Sequence, residues 1–264
     1  MGNLVNYQTD RGVAVITLND PPVNAFTHEM LVELDGHITD ARFDDDVQVV
    51  VVTGRGEHYF SAGANITMLR EVDAAFRYNF FLYASETMMR VERTPKLVIA
   101  AINGHAMGVG FELALACDIR IARAGGGMVG LPQIDLGMTP GSGGSQRIAR
   151  YLGKGRAMRM LLEGEKMSPE GALALGLIDF VWTTATHAEL LDRVLEYARR
   201  FTTPGKASLA VGKIKRAVQA AYELPIEQGI ALEQEMVAQV CRSDDACEGI
   251  QAWLDKRAAV FQGK

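Results

Sequence analysis

The sequence predicts an α/β protein, with a core of alternating strands and helices followed by a helical region that depends on it. Three observations carry this. Two runs, VQVVVVTG (47–54) and LVIAAING (97–104), are nearly continuously apolar, largely β-branched in the first, and stopped by glycine. That is how a strand buried on both faces reads. Around these runs a strand–turn–helix theme repeats. From about Ser145 onward the pattern changes to one helical segment after another, parted by short Gly or Pro loops.

The elements follow in order. VAVITLN (13–19) has alternating, β-rich composition and ends at DPP, so it reads as a strand and a turn. THEMLVELDGHITDAR has helical spacing, with Thr27 placed to cap its N-terminus. The buried strand over 47–54 comes next, then a helix in AAFRYNFFLYASETMMR (74–90), then the strand ending at Ile102. HAMGVGFELALACD is a glycine turn that runs into an apolar helix, and DIRIA is a short strand. Helices are expected in QRIARYLG, GRAMRMLLEG, SPEGALALG, HAELLDRVLEYARRF, KASLAVGKIKRAVQAAY and the stretch from Pro225 to Phe261. No low-complexity linker divides the chain. Apolar stripes on the last helices fit an oligomer surface or an intramolecular core equally well.

Bulk properties narrow the function. The 264 residues carry a net charge of −5, which argues against nucleic acid as the main partner. Cys117, Cys241 and Cys247 form no CxxC, so reduced thiols in the cytoplasm are expected. The segment MGNLVNYQTDRG lacks the apolar stretch of a signal peptide. Gly2 does not open a myristoylation motif, because Asn6 stands where Ser or Thr is needed. No apolar run approaches the ~20 residues of a membrane span. His28, His37, His58, His105 and His187 show no metal-ligand spacing, so no metal is expected.

Two glycine-rich segments follow buried strands, GRGEHYFSAGANI and NGHAMGVGFELALACD. Together they could aim two backbone N–H groups at one oxygen, forming an oxyanion hole. Tight strand–helix packing is the alternative. Neither matches a dinucleotide fingerprint or a phosphate-binding loop. Glu112 lies among apolar neighbours in GVGFELALAC, where lost solvent raises a carboxyl's proton affinity toward a value useful in acid–base work. A structural pairing with Arg120 or a solvent-facing position competes with that reading. In VGLPQIDLG the residue after Leu131-Pro132 is Gln133, which can hydrogen-bond but cannot shuttle protons. If that stretch is extended, Asp135 faces the same way as Gln133 and is a minor candidate acid; a surface carboxylate is the simpler reading. His105, within the glycine turn, is expected to shape that turn.

PPVNAF, FSAGANI, LVIAAINGHAMGVGFELALACDIRIA, VGLPQIDLGMTPGSGGSQRIARYLG and ALALGLID, in this order, resemble the crotonase family, the enoyl-CoA hydratase/isomerase superfamily. The resemblance runs from about Val13 to Lys264. It implies a spiral of ββα units over residues 1–200 and a C-terminal helical trimerisation region over 201–264. Trimers in this family often pair into hexamers. It implies an acyl-CoA thioester as substrate, with coenzyme A entering only as part of that substrate and no separate cofactor. The thioester carbonyl would sit between the backbone N–H groups of Ala64 and Val109, the latter standing where the family usually has Gly. Coenzyme A would run past Val23, Ala25, Ala62, Asn65 and Ile66; the family often has Asp where Asn65 stands. Phe261 and Lys264 resemble an aromatic-x-x-Lys ending that touches the nucleotide end of coenzyme A from a neighbouring subunit. The helix over 74–90 would roof the acyl pocket.

Family hydratases carry two glutamates, which match Glu112 and Gln133 here. The expected activity is therefore an enoyl-CoA hydratase or dehydratase that relies on Glu112, with Gln133 as an orienting group. A double-bond isomerase needs only one base and is the alternative. An acyl-CoA decarboxylase or C–C hydrolase would use Gln133 to recognise a polar acyl group. Gln133 as an engineered replacement of a glutamate is a further possibility. A coenzyme-A- or RNA-binding scaffold without chemistry is the alternative of a different class; the charge of −5 and the retained Glu112 weigh against it.

Overall fold

The computed structural model describes residues 4–264. The reading made at Gly2 lies outside them. Six strands form the main sheet, in the order Val5–Asp10, Val13–Leu18, Val49–Gly54, Leu97–Ile102, Ile119–Arg123 and Phe180–Trp182. The first two pair antiparallel and all the others parallel. Both strands expected to be buried on two faces are buried at every position. One face packs the helix His28–Phe43 and the rest of the main core. The other packs Leu190, Val194 and Ala198 of the helix His187–Arg199.

A second sheet runs Lys166–Met167, Val129–Gly130, His105–Met107, Tyr59–Ser61. Successive units place one strand in each sheet and then a helix. Val49–Gly54, Tyr59–Ser61 and the helices Ile66–Glu71 and Ala74–Arg93 make one such unit. Leu97–Ile102, His105–Met107 and the helix Val109–Ala116 make the next. This is the ββα spiral that the resemblance implies. Thr27 caps its helix as expected, accepting the Met30 N–H at 3.3 Å. The two- and three-residue strands, including Lys166–Met167 and Phe180–Trp182 in the region expected to be helical, were not anticipated. They are too short to carry an alternating pattern.

In-register pairing places site turns side by side. Val49 opposes Val13 on one side and Leu97 on the other, so the parallel strands end at one level. The turns that leave their carboxyl ends are the usual place for ligand chemistry in open α/β sheets. Two buried asparagines fasten these turns. Asn24 Nδ2 donates to the carbonyls of Arg55 and Tyr59 (3.0 and 2.9 Å), and Asn103 Nδ2 to those of Gly56 and Tyr59 (2.7 and 3.1 Å).

The chain closes with three helices, Ser208–Glu223, Ile226–Val240 and Asp244–Leu254. Ile214, Val218, Tyr222, Ile226, Ile250 and Trp253 on them are exposed, Trp253 at 79 %. A cavity of about 850 Å³ lies between the helix Ser208–Glu223 and the back of the core, against Asp118, Tyr151 and Lys215 among others. Among the described residues no helix is long and apolar enough to cross a membrane, and no group of three or more His, Cys, Asp or Glu is placed to hold a metal ion.

Candidate active site

Every residue of the helix Val109–Ala116 is buried. A helix apolar on all sides must lie inside the protein, and Phe111, Leu113 and Leu115 each contribute about 1.5–3 kcal/mol by leaving water. This packing carries Glu112 with it, and its side chain is 0 % exposed. Arg120 is not its partner; that guanidinium pairs with Asp179 at 2.8 Å and donates to the Cys117 carbonyl.

Glu112 is held instead by the segment that follows the second-sheet strand Val129–Gly130. Oε1 accepts the backbone N–H groups of Ser142 and Gly144, both at 2.8 Å. Oε2 accepts from Gln133 Nε2 at 3.2 Å. Burial pushes the Glu112 carboxyl above the ordinary carboxylate range. The amides of Gly144 and Ser142, the charge of Arg147 and the amide of Gln133 oppose that shift without cancelling it. Gly144 is required by approach: a Cβ there would lie 2.8 Å from Glu112 Oε1 and 2.7 Å from Leu131 Cδ1.

Gln133 sits in a 3-10 helix, Pro132–Leu136, with proline in its first turn and Gly137 capping its end in the left-handed region. Its side chain is buried at 8 % exposure. Nε2 faces Glu112, and Oε1 has no hydrogen-bond partner within the protein. The same helix rules out the minor reading of Asp135 as a candidate acid and bears out the simpler one, a surface carboxylate. Two residues on, a 3-10 helix has turned about 240°, so Asp135 is exposed and pairs with Lys166 at 3.5 Å. His105 shapes its turn: Nδ1 accepts the Met128 N–H at 3.0 Å.

The two glycine segments do meet. Gly108 has φ 50° and ψ −125°, a conformation open to glycine. It makes Val109 the first residue of its helix, whose N–H has no helical acceptor. A Cβ on Gly63 would stand 3.5 Å from the Val109 nitrogen, so the Gly63–Ala64 strand lies directly beside it. That strand pairs in parallel with Ala25–Phe26, Ala25 opposite Gly63. The Ala62 N–H donates to Val23 O (2.9 Å) and the Asn65 N–H to Phe26 O (2.9 Å). Val23, Ala25, Ala62, Ala64, Asn65 and Ile66 thus follow one ribbon, with Ile66 exposed. The Asn65 side chain caps the helix Ile66–Glu71 by accepting the Met68 N–H at 3.0 Å.

Phe261 and Lys264 lie apart from this ribbon. The tail folds onto the helix Asp244–Leu254, where Asp245 accepts the N–H groups of Gln262 and Gly263 and donates its own N–H to Lys264 O at 3.0 Å. The helix expected to roof the acyl pocket spans Ala74–Arg93. Its Phe80 and Met88 are core and its Tyr78 is exposed. Its Phe81 ring lies against Gly141, beside the Glu112 clamp.

Sequence reasoning missed Ser142, Gly144 and the pair Arg147–Glu92 (2.8 Å) that stands behind them. The GSGG before a helix was the available signal.

Comparison with known proteins gives one consistent picture. Residues 8–264 match the family model described as enoyl-CoA hydratase/isomerase. The chain is 34% identical to the 2,3-dehydroadipyl-CoA hydratase of Escherichia coli over 267 residues, covering 100% of both chains. It is 33% identical to the short-chain-enoyl-CoA hydratase of Clostridium acetobutylicum, covering 97% of this chain and 96% of that one. Among solved structures, an enoyl-CoA hydratase from Geobacillus kaustophilus superposes with a TM-score of 0.95 at 38% identity, covering 100% of this chain and 98% of the other.

Proposed function

The chain belongs to the enoyl-CoA hydratase/isomerase family and is an enzyme of that family, and from that premise we propose that it hydrates an enoyl-CoA thioester, or runs that reaction in reverse, with Glu112 as its one proton-transferring group. The observation that carries this is the setting of Glu112: fully buried, gripped by two backbone amides and Gln133, with a raised proton affinity.

The reaction balances with that residue alone. The Glu112 carboxylate takes one proton from water as the hydroxyl oxygen bonds to the β-carbon. The electron pair of the double bond moves toward the thioester carbonyl, giving an enolate. Glu112, now protonated, returns its proton to the α-carbon and is regenerated. The N–H groups of Ala64 and Val109 would hold the enolate oxygen, each lowering the barrier by roughly 3 kcal/mol. Gln133 would accept an O–H of the attacking water through its otherwise unpaired Oε1. No cofactor enters beyond the coenzyme A of the substrate, which would lie along Val23, Ala25, Ala62, Asn65 and Ile66.

A double-bond isomerase is the second reading, favoured by the outward turn of Asp135, which leaves Glu112 to move one proton between carbons. The exposed apolar residues of the last helices support an oligomerisation region over 201–264, in a homotrimer or a dimer of trimers. Cys117, Cys241 and Cys247 are free thiols, which fits a cytoplasmic protein.

The test is the absorbance of the enoyl thioester. Purified protein is offered crotonyl-CoA, longer and cyclic enoyl-CoAs, with products separated to tell hydration from isomerisation. Glu112→Ala should abolish turnover while coenzyme A thioester binding persists. Full activity in that variant would overturn the assignment of Glu112.

A further inference from the structure

We propose that Arg147, held by Glu92, is a positioning residue for the Glu112 chemistry: it fixes the Ser142 carbonyl and so aims the Ser142 and Gly144 amides at the carboxylate. This rests on the reading of Glu112 given above.

The geometry is a two-sided clamp. Arg147 Nη1 donates to Ser142 O at 3.0 Å. That carbonyl belongs to the peptide unit lying between the two units whose N–H groups grip Glu112 Oε1 at 2.8 Å. With its carbonyl tied outward, the middle unit cannot rotate an oxygen toward the buried carboxylate. Arg147 is itself fixed, its Nη2 at 2.8 Å and its Nε at 3.4 Å from the two Glu92 oxygens. Its side chain is 11 % exposed and that of Glu92 37 %. Gln219, from the helix Ser208–Glu223, donates to the Glu92 carbonyl. A continuous line of contacts therefore runs from the C-terminal helices to Oε1 of Glu112. Planar, forked and always charged, a guanidinium can hold a carboxylate and a carbonyl at once, which an ammonium does less well.

Arg147 is also the cation that acts on Glu112. Beside Arg147, the helix Gly144–Leu152 carries Arg150, which donates to the Gln146 carbonyl, and Tyr151, which lies under the Arg120 guanidinium, while the buried Ser142 Oγ has no partner within the protein. The helix Ala74–Arg93 brings Glu92, behind Arg147. The 3-10 helix brings neutral Gln133 and turns Asp135 to the surface, and His105 is engaged with Met128. Arg147 lowers the Glu112 proton affinity, and Glu92, paired with Arg147, offsets part of that positive charge.

That opposition separates a positioning role from a merely structural one. Steady-state pH profiles are measured on an enoyl-CoA that the wild type turns over, for R147Q, R147K, E92Q and E112Q, with thermal melts of each. The low-pH limb of kcat/KM reports the base in the free enzyme. R147Q is expected to lose about tenfold to a hundredfold in kcat with KM little changed, and to move that limb to higher pH. E92Q, which leaves the arginine charge uncountered, is expected to move it to lower pH. R147K is expected to keep the limb near its wild-type place while losing part of kcat. Limbs unmoved in R147Q and E92Q overturn the proposal. If R147Q does not fold, a full kcat in R147K with an unmoved limb in E92Q overturns it equally. A wild type with no turnover, or an E112Q variant with full turnover, defeats the reading of Glu112 itself and takes this inference with it.

Discussion

The side-chain nitrogen of Gln133 lies 3.2 Å from Oε2 of Glu112, and this contact orients both groups. A carboxylate only accepts, so the amide must present its N–H₂ there and turn its oxygen away. That oxygen is one of the buried atoms left without a protein partner. Gln133→Glu would replace the contact with two carboxyl groups near 3 Å that must share a proton. If Gln133 stands in for a second acid, the variant should hydrate crotonyl-CoA about 10²-fold faster, the scale of one positioned acid or base. The measurement is initial-rate loss of enoyl absorbance. No gain would mean that the pocket is specialised for another acyl group or another reaction.

Glu112 also sets a pH dependence of stability. Burial raises its folded-state pKa above the ordinary value of 4.5. A raised acid favours folding most where it is protonated in both states, below the unfolded pKa; that benefit is lost as pH rises through the folded pKa. Glu112→Gln keeps the acceptor oxygen but never ionises. The melting temperature of the variant, minus that of the wild type, should therefore grow as pH rises from about 4.5 and then level off. Differential scanning across pH checks this. A difference that stays flat, or that shrinks with pH, would show that the carboxyl is not desolvated as described.

Gly144 tests the clamp by size. A methyl group there would meet Glu112 Oε1 at 2.8 Å and Leu131 Cδ1 at 2.7 Å, both buried and with little room to retreat. Gly144→Ala should cost about 1–3 kcal/mol of stability and most of the turnover, read by urea denaturation and by initial rates. Wild-type stability and rate together would show that the turn can relax without consequence.

What was legible in the sequence, and what was not, follows from the range of each interaction. Glu112 was legible because its neighbours in GVGFELALAC are apolar and bury it by local pattern alone. The strands 49–54 and 97–102 were legible because four consecutive valines in the first and six consecutive apolar residues in the second leave no other place for them. Gln133 gained meaning only beside the family's second glutamate. Ser142 and Gly144 act through backbone N–H groups, which every residue but proline has, so only the glycines of GSGG before a helix hint at them, and nothing in that stretch names Glu112 as their partner. Arg147 and Glu92 are 55 positions apart, beyond any local period. For Asp135 the sequence left two directions open, an extended backbone facing it toward Gln133 or a surface position, and the 3-10 turn between Pro132 and Gly137 settles it at the surface.

Val109→Pro isolates the Val109 backbone amide, proposed to hold the enolate oxygen, from its side chain. Val109 is the first residue of its helix, where the N–H has no helical acceptor and proline's fixed φ is tolerated. The residue before it, Gly108, is outside the α region that a following proline disfavours. The substitution therefore removes one hydrogen-bond donor with little demand on the fold. If that N–H holds the developing oxyanion beside Ala64, kcat should fall by about 10²–10³-fold, the measured scale for one such donor. Far-ultraviolet circular dichroism and melting should stay near wild type, and Val109→Ala should keep most of its turnover because the amide remains. A proline variant that is folded and fully active would place the enolate oxygen elsewhere. A folded proline variant that has lost turnover, beside an active alanine variant, would tie the rate to a single backbone hydrogen.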